Sequence, residues 1–304
     1  MAVTRKEFLH TSALFLAALA CGPALASPKK APLLAFSTLG CPDWTFEQIT
    51  SFAMQHGYKG LEIRGLQRQM DLTQCPEFST EAARKRTLAL MKQNGITFVG
   101  LGSSANLHHP DGVEREKNLA EARRFIDLSS QIACPYVRVF PNNLPKEQDK
   151  KATLDRIVKG LRELGDYAKA RNVTVLLETH GDVVRIEDLA AIMQAAEHSH
   201  VGLVWDVANM WTVTQESPAE AYRVLQQYIR HTHIKDARLV DGKPHYTLLG
   251  QGEVPIFEAI GALQKGGYKG YYSFEWEKLW HPELAAPEIA LADYPRTMKK
   301  HFKD

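Results

Sequence analysis

The chain has 304 residues, of which 44% are hydrophobic and 24% are charged, and its formal net charge is +2. This composition is typical of a globular protein with enough length for one large core or two smaller ones. The near-neutral charge and the lack of a basic block give no electrostatic reason to expect a nucleic-acid partner.

The first segment has the pattern of a signal peptide. Arg5 and Lys6 precede an apolar run over residues 11–20, and Pro23-Ala-Leu-Ala26 supplies an A-x-A cleavage site. The run is too short to be read as a membrane span. We therefore predict a cleaved signal peptide over residues 1–27, export to the periplasm and no membrane span. Lys6 stands where a twin-arginine signal has its second arginine, so the export route stays open. A buried N-terminal helix is the alternative.

Three cysteines follow the predicted signal peptide, at Cys41, Cys75 and Cys134. None has the C-x-x-C spacing of a thiolate zinc site, so we do not expect such a site. Cys134 leads into an apolar run and is assigned to the core. Cys41 and Cys75 could pair in an oxidising compartment, and the sequence leaves that pairing open.

From residue 33 onward, short apolar runs alternate with amphipathic segments. Apolar runs of four to seven residues favour buried strands, and apolar residues at helical spacing favour helices. The predicted strands are 33–39, 60–64, 96–101, 135–140, 173–177, 201–205, 229–235 and 271–275. The predicted helices are 45–55, 79–94, 113–132, 146–171, 186–197, 218–228, 256–265 and 288–302.

Eight strands, each followed by a helix, have the number and length of an α/β protein with the (β/α)8 TIM-barrel fold. An open doubly wound sheet is the alternative, but no Gly-rich nucleotide loop follows the first strand. No linker or change in composition interrupts the alternation. We therefore predict a single TIM-barrel domain over residues 28–304.

Four consecutive predicted strands end at a side chain that could bind a metal, namely Glu178, Asp206, His233 and Glu275. In a TIM barrel these strand ends surround the site of chemistry. Three converging carboxylates would repel one another and raise one another's pKa, and a divalent cation removes that conflict. Three oxygen ligands and one imidazole favour Mn²⁺ or Mg²⁺, although Co²⁺, Fe²⁺ and Zn²⁺ are also compatible.

Longer motifs surround these four residues. They are Val175-Leu-Leu-Glu-Thr-His180, Val204-Trp-Asp-Val-Ala-Asn209, His231-Thr-His-Ile-Lys-Asp236 and Ser273-Phe-Glu-Trp-Glu277. Together they resemble the xylose isomerase-like TIM barrels, a superfamily of sugar and sugar-phosphate isomerases and epimerases, inosose dehydratases and type IV endonucleases. The resemblance implies that the four residues bind one divalent metal. Asn209 departs from the pattern, because many ketose 3-epimerases have a histidine there. The additional histidines of the endonucleases have no clear counterparts, which agrees with the near-neutral charge in arguing against a nucleic-acid partner.

The resemblance further implies a sugar isomerase or epimerase that removes a proton next to a carbonyl, with the metal stabilising the enediolate. Glu178 and Glu275 are then the candidate catalytic residues as well as metal ligands, whereas Asp206 and His233 are ligands only. The candidate substrate-binding residues are His180, Arg64, Lys235 and Asn209.

The expected partner is a small carbohydrate. An exported enzyme meets few free sugar phosphates, so an unphosphorylated sugar or glycoside is the expected substrate. One alternative is a lyase or dehydratase that acts on a 3-keto-glycoside or an inosose by the same proton abstraction. Another is a metal-loaded sugar-binding protein without turnover, and a phosphodiesterase is a more distant one. The sequence does not determine the oligomeric state.

Overall fold

Eight parallel strands close into a barrel in the computed structural model of the chain, which describes residues 31–303. The barrel order is β1-β2-β3-β4-β5-β6-β7-β10, with β10 pairing back to β1, and β8 and β9 form a separate antiparallel hairpin. In chain order the strands are Leu34–Ser37 (β1), Gly60–Ile63 (β2), Thr97–Asn106 (β3), Tyr136–Phe140 (β4), Thr174–Glu178 (β5), Val201–Asp206 (β6), Ile229–Ile234 (β7), Asp236–Val240 (β8), Lys243–Thr247 (β9) and Tyr272–Phe274 (β10).

Helices connect the barrel strands, and their ends follow the capping residues of the sequence. The first helix starts after Thr45, whose hydroxyl accepts from the Gln48 amide in a capping box, and it stops at Gly57 with φ 79°. Within residues 31–303 the α-helices are Phe46–His56 (α1), Glu81–Gln93 (α2), Val113–Gln131 (α3), Lys150–Lys169 (α4), Ile186–Ala196 (α5), Val207–Thr214 (α6), Pro218–Leu225 (α7), Ile256–Lys265 (α8) and Pro287–Lys303 (α9).

The core lies between the strands and the helices that cover them. On α4, Ile157, Leu161 and Leu164 are fully buried, as their helical spacing predicts. On α9, Tyr294 stacks on Phe274 with ring centroids 4.5 Å apart. These contacts pack the helices against the barrel strands, whose backbone pairing fixes where their carboxyl ends lie.

The predicted TIM barrel is confirmed, and two elements were not predicted. The first is α6, which begins at Val207 directly after β6. The second is the β8–β9 hairpin, which is inserted between β7 and α8. The hairpin turns at Asp241 and Gly242, with φ 51° and 74°, and Asp-Gly is a common two-residue hairpin turn. Both additions follow barrel strands that carry predicted metal ligands.

Pro32 and the residues that follow form one compact unit. The predicted signal peptide at residues 1–27 lies outside the described residues. Between residues 31 and 303, no helix combines the length and apolar character needed to cross a membrane. Cys41, Cys75 and Cys134 are buried free thiols in this structure, so the pairing that the sequence left open is not formed.

Candidate metal centre

Four buried side chains converge at the carboxyl ends of neighbouring barrel strands. Glu178 ends β5, Asp206 ends β6, His233 is the penultimate residue of β7, and Glu275 directly follows β10. One potential ligand atom from each residue lies within 4.8 Å of the others. The structure therefore brings together the four residues predicted as metal ligands, and their role as ligands stays a prediction.

The imidazole of His233 is oriented by a carboxylate on the far side of its ring. Its Nε2 lies 2.9 and 3.0 Å from the two oxygens of Glu62. Because an ionised carboxylate only accepts, this contact assigns a proton to Nε2. The other ring nitrogen, Nδ1, faces Glu275 Oε1 at 3.3 Å, Glu178 Oε1 at 3.6 Å and Asp206 Oδ2 at 3.7 Å. Nδ1 therefore needs a proton or a metal ion between itself and those oxygens.

Glu62 is the centre of a second buried cluster. Besides His233, its carboxylate accepts from His231 Nε2 at 2.9 Å and from Ser273 Oγ at 3.0 Å. With both histidines it also forms a group that could hold a metal, but its oxygens are already engaged by these donors. Sequence analysis did not select Glu62. The signal was present, because it is an acid in the apolar strand Gly60–Ile63, just as Glu275 follows an aromatic strand.

A buried lysine neutralises one side of the metal centre. Lys235 Nζ lies 2.7 Å from Glu275 Oε2 and 2.9 Å from Asp206 Oδ2, and it also contacts Glu277. The side chain of Lys235 is 1% exposed. Lys235 lines the cavity described below, and its role in substrate binding stays a prediction. It is also an ion-pair partner of two predicted metal ligands. Glu277, to which the sequence assigned no role, anchors this lysine.

An arginine neutralises the other side. Arg138 Nε lies 3.0 Å from Glu178 Oε2, and its guanidinium stacks 3.7 Å from the ring centroid of Phe140. Asn209 Nδ2 donates to Glu178 Oε1 at 3.3 Å. Asn209 thus contacts a predicted metal ligand, and it is not part of the cavity wall described below. Sequence analysis expected it to bind substrate.

The charges set the protonation states of the centre. Burial alone would raise the pKa of Glu178, but Arg138 and His233 hold it below its ordinary value. Burial opposes ionisation of Glu275 too, yet His233 and Lys235 hold its pKa well below the usual range. Burial would lower the pKa of His233, but Glu275, Glu62 and Glu178 raise it well above its ordinary value. Both glutamates are therefore ionised at neutral pH, and the metal-free imidazole carries a proton.

A small cavity of about 90 Å³ adjoins the metal centre. Its walls include Glu178 and Glu275 together with three of the predicted substrate-binding residues, Arg64, His180 and Lys235. A larger depression of about 480 Å³ is lined by Tyr222, Ile229 and Tyr268, among others. That depression lies near the amino ends of β7 and β10, on the face opposite the carboxyl ends, so we place the chemistry in the smaller cavity.

His180 presents a free ring nitrogen. Its Nδ1 lies 2.8 Å from Asn142 Oδ1. The Asn142 amide nitrogen donates to Asn106 Oδ1, which fixes the orientation of that amide. Asn142 Oδ1 must then accept from Nδ1–H of His180. In the neutral imidazole of His180 the lone pair is then on Nε2, and this side chain lines the cavity.

The donor set fits a hard or borderline divalent metal ion. It offers carboxylate oxygens from Glu178, Asp206 and Glu275 and one imidazole nitrogen, which is a donor set that Mn²⁺, Mg²⁺ and Zn²⁺ accept. His233 Nδ1 is buried and makes no hydrogen bond, while Nε2 is held by a carboxylate in the way that orients metal-binding histidines.

The closed parallel barrel, with an acid- and imidazole-rich cluster at its carboxyl rim, is an α/β barrel with a candidate metal site. The family model described as xylose isomerase-like TIM barrel matches residues 51–293. The chain belongs to this family.

Relatives found by sequence are enzymes of two kinds. The 3-dehydroshikimate dehydratase of Bacillus anthracis is 20% identical over 71% of this chain and 78% of its own length. An inosose dehydratase of Geobacillus thermodenitrificans is 27% identical over 45% of this chain and 51% of its own length. The D-psicose 3-epimerase of Ruminiclostridium cellulolyticum is 27% identical over 58% and 62%. For the last two, the match spans less than two thirds of the relative.

Solved structures share the fold. The IolI protein with a bound zinc atom has a TM-score of 0.74 at 19% identity, over 88% of this chain and 97% of that one. A xylose isomerase-like TIM barrel protein of Mycobacterium smegmatis in complex with magnesium has a TM-score of 0.67 at 19% identity, over 91% and 98%. At this identity the likeness shows the fold, and the metals are those of the named proteins.

Proposed function

We propose that the protein is a metal-dependent enzyme that removes a proton from carbon next to a carbonyl in a small polyhydroxylated substrate. The observation that carries the proposal is the convergence of Glu178, Asp206, His233 and Glu275 beside a cavity. The dehydratases and the epimerase among the relatives support the choice of reaction class.

Glu178, Asp206, Glu275 and Nδ1 of His233 would hold the divalent ion. When bound, such an ion supplies a Lewis acid that polarises a carbonyl oxygen. Mn²⁺ or Mg²⁺ is our first proposal for its identity, because three of the four donors are carboxylates. The metal-binding residues Glu178 and Glu275 are also two candidate bases, since both are ionised and line the cavity. His180 is a third, because its Nε2 has a free lone pair.

The ion pairs favour elimination of water as the outcome. Each candidate glutamate base lies beside its own cation, Arg138 for Glu178 and Lys235 for Glu275. Neither is therefore held in the protonated form that would return a proton to the opposite face of a sugar carbon. Elimination can use a single carboxylate: as base it takes the carbon-bound proton, the electron pair forms the new double bond, and the same group then gives that proton to the hydroxyl, which leaves as water. Neither neighbouring cation is the acid. Burial lowers the pKa of Lys235, but Asp206, Glu275 and Glu277 raise it well above its ordinary value, and the guanidinium of Arg138 does not release a proton near neutral pH.

Isomerisation or epimerisation is the second candidate, and it is the one that sequence analysis placed first. Its support is the position of Glu178 and Glu275, which come from β5 and β10 with two strands between them in the barrel. Two bases that approach from different sides are what a transfer of one proton between two faces requires.

The choice of substrate depends on where the protein acts, and the first 27 residues bear on that location. We propose, as their sequence predicts, that they direct export to the periplasm. There an unphosphorylated sugar, sugar acid or glycoside is a better substrate than a sugar phosphate.

The test is a substrate screen in D₂O with protein loaded with Mn²⁺, Mg²⁺ or Co²⁺. Proton abstraction introduces deuterium into the substrate even where no product accumulates, and NMR separates loss of water from a change in configuration. Glu275→Gln should abolish exchange, whereas Glu283→Gln, at an exposed acid, should not affect it. Tight sugar binding without any exchange would instead identify a sugar-binding protein without turnover.

A further inference from the structure

Arg64 is a buried cation without a counter-ion. It follows β2 directly, is 6% exposed and lines the cavity beside the metal centre. Its Nη2 donates to Ser104 Oγ at 3.0 Å, whereas its Nη1 is buried and has no hydrogen-bond partner. Among residues 31–303, no carboxylate lies within ion-pair distance of its guanidinium.

The other buried cations show that this is exceptional. Four lysine and arginine side chains are buried in the described part of the chain. Lys235 meets three carboxylates, Arg138 pairs with Glu178, and Arg115 lies 3.4 Å from Asp111. A buried charge is costly unless it is paired, and of these four cations only Arg64 lacks a carboxylate partner among the residues that the structure describes.

A second arginine makes the position of Arg64 still less favourable without a ligand. Arg64 and Arg138 both pass Gly102, where an added Cβ would lie 2.6 Å from Cδ of Arg64 and 2.8 Å from Nη2 of Arg138. The absence of a side chain at Gly102 is thus what allows two guanidinium groups side by side. Burial and then Arg138 lower the pKa of Arg64 to about 9, although Glu178, Glu275 and Glu121 act in the opposite direction from beyond ion-pair distance. Arg64 therefore stays charged at neutral pH while its neighbour Arg138 repels it.

We propose that Arg64 binds a carboxylate of the substrate, which makes the substrate a polyhydroxylated carbonyl compound that also carries an acid group. A carboxylate supplies the missing counter-charge, and its two oxygens match the planar donor fork of a guanidinium. A planar single anion also suits a cavity of about 90 Å³ better than a bulkier phosphate. This inference rests on the proposed function, because it places the carboxylate beside the carbonyl-binding metal centre.

The experiment compares ligands that differ mainly in the acid group. Calorimetric titration of the metal-loaded protein would use quinate as the cyclic polyhydroxylated carboxylate, myo-inositol as its neutral counterpart and myo-inositol 1-phosphate as the phosphate. Quinate should bind about tenfold or more tightly than myo-inositol, as a charge-assisted, bidentate contact predicts. Arg64→Met should remove this difference, and Arg64→Lys should restore part of it. Arg86→Met, at an exposed position on α2, should leave all affinities unchanged.

Three results would overturn the inference: no carboxylate preference at millimolar ligand, a preference that survives in Arg64→Met, or tightest binding of the phosphate. Thermal unfolding and Mn²⁺ titration of each variant show whether the barrel and the metal centre are intact. The binding assay needs no turnover, so it is independent of the proposed reaction. Deuterium exchange into neutral sugars without a carboxylate preference would refute the subsite and keep the reaction. A carboxylate preference without deuterium exchange in any compound would keep the subsite and refute the reaction.

Discussion

Replacing Glu62 by glutamine should weaken metal binding, although Glu62 is not one of the four proposed ligands. Its carboxylate accepts from His233 Nε2, His231 Nε2 and Ser273 Oγ at 2.9 to 3.0 Å. Glutamine has nearly the same shape but only one acceptor oxygen, and its amide NH₂ would face at least one of these donors. The variant therefore perturbs orientation and protonation of the His233 ring with little change in packing.

The hydrogen bonds to Glu62 determine how much metal affinity the variant should lose. A hydrogen bond to a charged group contributes about 1.5–3 kcal/mol. If the amide NH₂ faces His233, the ring is driven to place its proton on Nδ1, the nitrogen that faces Glu178, Asp206 and Glu275. That proton competes with the metal. We expect metal affinity to fall about 10- to 100-fold, which corresponds to about 1.4–2.7 kcal/mol.

Isothermal titration of the metal-free protein with Mn²⁺ or Co²⁺ measures this directly. Ser273→Ala removes one donor to Glu62 but leaves both histidine contacts, so it should weaken metal binding less than Glu62→Gln does. Glu283→Gln, at an exposed acid paired with His281, should change nothing. A folded Glu62→Gln variant that binds metal as tightly as the wild type would refute the orienting role of this carboxylate.

Three further results are expected. The pKa of His233 is raised well above its ordinary value, so metal binding at neutral pH should release a proton from this ring. Metal affinity should then increase with pH until that pKa is passed. A heat of metal binding that does not depend on the ionisation enthalpy of the buffer would contradict this. Lys235→Met leaves Asp206, Glu275 and Glu277 without their shared cation and should destabilise the metal-free fold by about 3–5 kcal/mol. Urea unfolding measures this, with Lys169→Met, at an exposed position on α4, as the control. Equal midpoints for the two variants would contradict the ion-pair role of Lys235. Gly252→Ala should destabilise the fold by about 1–3 kcal/mol, since the new Cβ would lie 2.0 Å from Asp236 Oδ1. Gly261→Ala on α8 is the matched control, because a Cβ there meets nothing within 4 Å. Equal midpoints of urea unfolding for the two variants would refute the steric argument.

Hydrophobic periodicity predicted the barrel because its strands and long helices repeat one pattern. The first helix, for example, was predicted over residues 45–55 and is found at Phe46–His56. Helix α6 was missed because it has eight residues and follows β6 without a loop. Its start depends on Asp206, whose Oδ1 accepts from the backbone amide of Asn209 at 2.9 Å, so one side chain is both a helix cap and a predicted metal ligand. The β8–β9 hairpin did carry a local signal, the Asp241-Gly242 turn.

The candidate site was only partly predictable, for a geometric reason. Glu178, Asp206, His233 and Glu275 could be grouped because parallel barrel strands bring all their carboxyl ends to one rim. The contacts of Glu62 cannot be found in this way, since they join β2 to residues 169 and 211 positions away. They depend on barrel closure, which places β10 beside β1 and within reach of β2.

The distribution of positive charge links the metal centre to the choice of reaction. Arg138 pairs with Glu178 and Lys235 pairs with Glu275, whereas Arg64 pairs with no carboxylate of residues 31–303. Two cations are therefore engaged by groups of the protein, and we propose that the third is available to the substrate. Neither paired cation is a proton donor near neutral pH, because Asp206, Glu275 and Glu277 raise the pKa of Lys235 well above its ordinary value despite its burial and a guanidinium stays protonated. We therefore place loss of water, in which one carboxylate serves in turn as base and acid, ahead of a proton transfer between two carboxylates.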